Sequence, residues 1–247
     1  SESMASYGET APLNGQQPQP LDVKDAAVEV RRGFVRKVYS ILSLQLLITT
    51  AIAAPLQTVS AEWMRRNSWL LILSVVMTFV TICAMSCCRD TARTYPSNYI
   101  LLFTFTGFEG VMIGFVSAAY TWQSVVLAAG ITVIIFLGLT AFAWTTSTDF
   151  TGMGVYIFGA LMTFAAFGLV LAILGLCGVY IRWLIILYDV IGVLIFVFFI
   201  IFDTQMILGE YGGHQNSFSI DDYAFASLTL YLDIINLFLH LLRLLGD

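Results

Sequence analysis

The chain has 247 residues, of which 59% are hydrophobic and only 11% charged, and its net charge is −5. Soluble domains usually carry about 25% charged residues, so this composition argues strongly against a water-soluble globular protein. The sequence shows no stripe of lysine and arginine with interleaved aromatic residues, and we therefore expect no nucleic acid among its partners.

In chain order, residues 1–30 come first and are polar, with several Gly, Gln and Pro and no signal peptide, so we expect a disordered cytosolic tail. Hydrophobic runs of about 20 residues then follow one another, which is the pattern of membrane-spanning helices. The seven predicted spans are 38–59, 69–88, 98–119, 123–144, 152–178, 183–208 and 223–245. Residues 31–247 are therefore predicted to form one all-α integral membrane domain of seven transmembrane helices, with the lipid bilayer as its partner.

The basic residues near the span ends predict the orientation, because cytosolic loops carry an excess of Lys and Arg. One side would hold seven of them: Lys24, Arg31, Arg32, Arg36, Lys37, Arg89 and Arg93. The other side would hold four: Arg65, Arg66, Arg182 and Arg243. We therefore expect the N-terminus in the cytosol.

The last segment carries a stripe of polar residues. They follow one another at steps of four and three residues: Asp222, Ala226, Thr229, Asp233, Asn236, His240 and Arg243. Residues at this spacing share one face of a helix, and lipid would not tolerate such a face. The pattern predicts a helix that the others enclose, with its stripe on a polar seam or cavity. Hydrogen bonding between helices would give the same pattern, above all for Asn236 and Thr229.

Four acids fall inside predicted spans: Glu109, Asp189, Asp203 and Asp233. A carboxylate in a bilayer costs several kcal/mol unless it is neutralised, paired or wet. Asp203 and Asp233 lie on consecutive, antiparallel spans, ~8 Å and ~15 Å from the cytosolic edge, and they can meet if one helix starts deeper. Two adjacent carboxyls share a proton, so the pair is a candidate pH sensor or gate. It could also ligate Ca²⁺, which prefers oxygen ligands.

The other polar residues are predicted to support such a site. Glu109, near mid-span, is a candidate for an ion pathway. His240 would tune or relay protons, or would simply be polar near the outer interface. Asp189 would line the pathway or lie at the outer water interface.

Two C-terminal segments resemble signatures of a known family. Residues 201–207, Ile-Phe-Asp-Thr-Gln-Met-Ile, and residues 230–243, Leu-Tyr-Leu-Asp-Ile-Ile-Asn-Leu-Phe-Leu-His-Leu-Leu-Arg, are similar to those of the transmembrane BAX-inhibitor-motif proteins, also called Bax inhibitor or Lifeguard proteins. Residues 34–45 resemble the Lifeguard members, the Golgi anti-apoptotic protein branch in particular. The resemblance runs from about residue 30 to the end of the chain.

The resemblance implies a last helix that is central and wrapped by the other six. It also implies a Ca²⁺ leak from Golgi or endoplasmic reticulum stores, protection from cell death, and cell-death regulatory membrane proteins as partners. The aspartate pair that senses pH in bacterial members matches Asp203 and Asp233. The arginine that accompanies it on the second helix has no counterpart in 69–88, so Arg89 and Arg93 are the nearest candidate basic partners. In some eukaryotic members the last segment is described as a re-entrant loop.

The sequence therefore predicts a pH-sensitive Ca²⁺ leak channel or channel-like regulator, with no cofactor other than Ca²⁺ as a transported or transiently bound ion. The alternative is a non-conducting scaffold that suppresses apoptosis by protein contacts. We expect no enzyme: an intramembrane aspartyl protease needs Gly-X-Gly-Asp, whereas Ile200, Ile201 and Phe202 precede Asp203. A retinal protein needs a lysine in the last helix, and the only lysines are Lys24 and Lys37.

Overall fold

The computed structural model describes residues 28–87, 94–209, 218–219 and 221–246, so the predicted tail lies almost wholly outside the described residues. In that part of the chain, seven helices are long and apolar enough to cross a membrane, which confirms the prediction of an all-α protein with seven spans. They are α1 Val28–Leu56, α2 Ser68–Cys87, α3 Ser97–Ser117, α4 Trp122–Thr145, α5 Gly154–Leu176, α6 Arg182–Leu208 and α7 Tyr223–Leu245.

The first helix is longer than its predicted span, because it begins at Val28 rather than at residue 38. The added turns are rich in arginine, but Phe34 and Val38 on their inner face are buried. Hydropathy alone marks only the segment inside the apolar layer, whereas a helix continues as long as one face still packs. α1 ends just after Pro55, whose carbonyl accepts a hydrogen bond from the Thr58 amide in the turn that follows.

A short helix, Ala61–Arg66, connects α1 to α2. The hydroxyl of Ser60 caps it by accepting a hydrogen bond from the Trp63 amide at 3.3 Å. A single 3₁₀ turn, Thr151–Met153, precedes α5.

The last helix lies at the centre of the bundle. In the most hydrophobic stretch of α7, 72% of the residues are buried, against at most 44% for any other span. Helices α1, α3, α4 and α6 pack directly against α7. Helix α2 packs mainly on α3, and α5 mainly on α6, so these two complete the wrap from outside.

Hydrogen bonds across helices help to hold the centre together. Thr49 Oγ1 on α1 and the Tyr231 hydroxyl on α7 lie 2.7 Å apart. Gln45 Nε2 donates to Thr106 Oγ1 at 3.1 Å and so ties α1 to α3. Since lipid tails are as apolar as leucine, close packing and such bonds, rather than hydrophobic burial, favour association of the helices.

Small residues allow α1 and α3 to pack closely. A Cβ atom placed on Gly114 would lie 3.2 Å from the Cα of Ala53 and would overlap Leu56. The interface is thus of the small-residue type that is common between membrane helices.

Candidate functional site

The site that the sequence points to lies between α6 and α7, which form the most extensive helix pair of the described bundle. Asp203 on α6 and Asp233 on α7 are both buried, at 6% and 5% exposed. Their carboxyl groups face each other within hydrogen-bonding reach, and the Thr229 hydroxyl faces Asp203 from one turn earlier on α7. The two acids that the sequence assigned to neighbouring helices therefore do lie together.

The stagger of the two helices explains how they meet. Asp203 lies ~8 Å from the end of α6 at Leu208, and Asp233 lies ~15 Å from the start of α7 at Tyr223. The carboxyls are level only if α7 begins ~7 Å beyond the point where α6 ends. The sequence argument required such an offset between the ends of the two helices.

One oxygen of the pair is unused. Asp233 Oδ2 is buried and has no hydrogen-bond partner within the described structure. A buried oxygen without a partner costs about 1–3 kcal/mol. Such an atom is suited to carry or accept a proton, or to contact a cation that passes.

Glu109 belongs to a different cluster. It lies on α3 at 3% exposed, and Thr78 of α2 faces its carboxyl. On α7 the Glu109 carboxyl interacts with Tyr231, which is two residues from Asp233 and so points to the opposite side of that helix. The structure thus does not bring Glu109 next to the aspartate pair, and a pathway that used both would have to pass around α7.

A third polar cluster lies further along the α6–α7 interface. Asp189 Oδ1 is 2.8 Å from His240 Nδ1 and 2.8 Å from the Arg243 guanidinium. Asp189 is 1% exposed and His240 4%, so the surrounding helices enclose both side chains. The Arg243 charge balances the Asp189 carboxylate, which makes this group an ion-paired clamp between the two helices. We call Asp189, His240 and Arg243 the clamp.

Aromatic rings enclose the clamp histidine. The centroids of Phe164, Tyr188 and Phe196 lie 5.4, 5.6 and 5.6 Å from that of the His240 ring. A Cβ atom at Gly192 of α6 would come within 2.6 Å of His240 Nε2. Only glycine therefore allows the imidazole to lie against α6.

The remaining predicted residues are Asn236, Thr229, Arg89 and Arg93. Asn236 donates from Nδ2 to the carbonyl of Leu232 in its own helix at 2.8 Å, so this bond does not link two helices and joins Asn236 to neither cluster. Thr229 belongs to the aspartate pair. Arg89 and Arg93 lie outside the described residues. The stripe on α7 is therefore divided between two contacts with α6, rather than lining one continuous seam.

Among the residues that the structure describes, no group of three or more His, Cys, Asp or Glu side chains is placed to hold a metal. Ca²⁺ normally takes six to eight oxygen ligands. Asp203 and Asp233 alone would therefore suit a brief contact with a passing ion better than a resident one.

One residue near the site was missed by the sequence analysis. Gln205, two residues after Asp203, is 1% exposed and bonds to the loop between α4 and α5. Its Nε2 donates to the Thr148 carbonyl at 2.9 Å, and its Oε1 accepts from the Phe150 amide at 2.8 Å. The sequence did contain a signal for Gln205: an amide side chain two residues from an acid in a mostly apolar helix.

The chain is similar in sequence to known proteins over most of its length. A sequence model of the family described as "Inhibitor of apoptosis-promoting Bax1" matches residues 31–247. Protein lifeguard 3 of Homo sapiens is 36% identical over 227 residues, which cover 89% of this chain and 70% of the relative. Protein lifeguard 3 of Mus musculus is 33% identical with the same coverage. Bax inhibitor 1 of Schizosaccharomyces pombe is 30% identical over 247 residues, covering 98% of this chain and 88% of the relative.

Proposed function

The chain belongs to the family of inhibitors of apoptosis-promoting Bax1, the Bax inhibitor and Lifeguard proteins, which are anti-apoptotic membrane proteins. From this premise we propose that it is a pH-sensitive Ca²⁺ leak channel, or a channel-like regulator, of intracellular stores. Its membrane would be that of the Golgi or the endoplasmic reticulum, with the N-terminus in the cytosol. Lowering the Ca²⁺ content of these stores would be its route to protection against cell death.

The observation that carries the proposal is the contact between the carboxyls of Asp203 and Asp233. Two carboxyls this close in a low-dielectric interior share one proton, because two adjacent charges repel. While the proton is shared, the pair holds α6 to α7. Loss of the proton turns this attraction into repulsion, so the contact is an element with two states that pH can bias.

The arrangement also suits transport better than storage. Ionised, the pair offers carboxylate oxygens, including the unpartnered Oδ2 of Asp233, to a divalent cation inside the bundle. Two side chains bind too few of the ligand positions of Ca²⁺ to retain it. A slow leak that follows the protonation of the pair fits this chemistry.

The clamp determines which end of the interface can open. It joins α6 to α7 through Asp189 and Arg243, ~21 Å along α6 from Asp203. Separation of the aspartates would therefore splay the helices at the predicted cytosolic end, while the clamp holds them together at the other.

The test is Ca²⁺ flux from liposomes that contain the purified protein, measured between about pH 5.5 and 8, where a shared carboxyl proton can be lost. We expect a leak in the wild type that changes with pH. Asp203→Asn and Asp233→Asn should each conduct with much less dependence on pH, because the one remaining carboxyl has no second charge to repel it. Asp221→Asn, at an exposed acid just before α7, is the matched control and should retain the wild-type profile.

Two results would contradict the proposal. A wild-type protein that is folded but releases no Ca²⁺ at any pH would favour the non-conducting scaffold. A leak whose pH dependence survives in both Asn variants would mean that another group senses protons.

A further inference from the structure

A gap between α1 and α4 opens to the side of the bundle. Both helices pack against α7, yet they do not pack against each other along their length. The rings of Tyr39 on α1 and Phe136 on α4 lie 6.5 Å apart. The space between them is a groove of about 450 Å³, which falls within the usual range for ligand sites.

The floor and walls of the groove are almost wholly apolar. Its floor is the central helix, through Ile234, Ile235 and Phe238, and α1 and α4 form the walls. Ile234 and Ile235 are each only 5% exposed, so bulk lipid around the bundle does not reach them. A long, apolar slot that opens between two lipid-facing helices has the shape and polarity of a site for a hydrocarbon chain.

Three threonines along the groove, Thr49, Thr50 and Thr132, already have hydrogen-bond partners within the protein, and the other polar groups lie at one end. Gln57 follows the end of α1, Ser117 is the last residue of α3, and Trp122 is the first residue of α4. This end lies at the membrane–water boundary, where tryptophan concentrates. Gln57 Nε2 is buried and has no hydrogen-bond partner in the described structure, so it can donate to an acceptor atom of a ligand in the groove.

The apolar groove and the polar groups at its end fit one class of ligand. We propose that the groove is a binding site for a membrane phospholipid, with one acyl chain lying along α7 and an ester or phosphate oxygen accepting the hydrogen bond of Gln57. A sterol offers a single hydroxyl and a rigid body, which suits a long apolar slot between two helices less well than a flexible chain does.

The probe for the test is phosphatidylcholine with a photoreactive diazirine in one acyl chain, mixed into phosphatidylcholine vesicles that hold the full-length protein. After illumination, mass spectrometry locates the labelled residues. We expect label on Ile234, Ile235 and Phe238, in addition to the general labelling of the outer surface of α5.

Two variants and a control make the test specific. Ala129→Phe, at an exposed position on the α4 wall, should fill the groove and reduce labelling of α7 by roughly ten-fold. Gln57→Leu keeps the shape but removes the donor, and should reduce it by roughly three-fold. Ala160→Phe adds the same bulk as the first variant at an exposed position of α5, and should leave the labelling of α7 unchanged.

The proposal is overturned if wild-type α7 stays unlabelled while α5 is labelled, or if Ala129→Phe is labelled on α7 like the wild type. It is equally overturned if a photoreactive sterol, but not the phospholipid, labels α7. Cross-linking of α7 to a second copy of the chain through the groove would also overturn it. All readouts are independent of Ca²⁺ flux, so they stand whether or not the protein conducts.

Discussion

At the scale of single residues, the polar side chains in the membrane are confined to a few mutual contacts. Asp189 meets Arg243, and Asp203 meets Asp233. Each contact reduces the cost of a charged or protonated group in the bilayer, which is several kcal/mol when such a group is isolated. Some single buried atoms, such as Asp233 Oδ2, have no hydrogen-bond partner in the described part of the chain.

The clamp depends on a residue with no side chain. Gly192→Ala would place a Cβ against the His240 ring, which three aromatic rings and Asp189 prevent from moving aside. We expect a loss of about 1–3 kcal/mol in the free energy of unfolding, as for overpacked cores. The measurement is thermal or denaturant unfolding of the purified protein in mild detergent.

Gly138→Ala on α4 is the matched control, since a Cβ there meets nothing within 4 Å. It should leave stability unchanged or raise it by up to about 1 kcal/mol, because alanine favours helix over glycine. Equal effects of the two substitutions would show that the imidazole can move and that the clamp is not tightly packed.

Some of these contacts could be predicted from the sequence and others could not. The aspartate pair was accessible because both residues are acids in consecutive apolar spans. The clamp was not predicted. Asp189, His240 and Arg243 were each singled out, but each was placed relative to the membrane edge and not paired with a residue on the neighbouring helix. Once Asp203 is level with Asp233, the antiparallel register alone places Asp189 near the far end of α7, so this pairing could have been derived.

At the scale of elements, hydropathy predicted the helices better than their packing. All seven spans agree with the observed helices to within a few residues, except for the extended start of α1. Which helices touch α7 depends on side-chain shape: Gly110 and Gly114 let α3 approach α1, and nothing in a hydropathy profile reveals that. The loops were even less accessible, since the attachment of Gln205 to residues 148–150 joins segments over 50 positions apart.

The contact of Gln205 predicts how the loop between α4 and α5 behaves. In Gln205→Ala the Phe150 amide loses its acceptor, a bond worth about 1 kcal/mol, so its hydrogen exchange should accelerate by roughly five-fold. Hydrogen–deuterium exchange with mass spectrometry of the protein in nanodiscs would measure this.

The internal reference is the Thr146 amide, which is bonded to the Phe142 carbonyl within the end of α4 and should exchange as in the wild type. If the exchange of Phe150 did not change, the loop would be held by other contacts and Gln205 would contribute little to it.

At the scale of the whole molecule, polar side chains are concentrated inside the bundle and apolar side chains cover its outside, which is the reverse of a soluble helical bundle. Helix α7, which carries a stripe of polar residues, is at the centre, and strongly apolar surfaces, such as that of α5, face outward. This arrangement lets polar groups meet inside while lipid surrounds the rest. Because α7 packs against α1, α3, α4 and α6, a movement of α7 would change its contacts with all four helices.

The same architecture predicts where the two termini lie. α7 is an unbroken helix of 23 residues and so ~34 Å long, enough to cross a hydrocarbon core of about 30 Å. A re-entrant segment would need a break in the helix to turn back, and α7 has none between Tyr223 and Leu245. With seven spans and the N-terminus in the cytosol, the C-terminus should therefore lie in the lumen.

A glycosylation acceptor tag fused to either end tests this in cells. We expect the C-terminal fusion to acquire glycans and the N-terminal fusion to remain unmodified, because only the lumen contains the transferase. The control is a tag inserted between α1 and α2, in the segment with Arg65 and Arg66, which faces the lumen in the same topology and should also be modified. Modification of that loop without modification of the C-terminus would mean that α7 returns to the cytosolic side. The aspartate pair would then lie between a spanning helix and a re-entrant one, and the gate would have to open without a full α7 span.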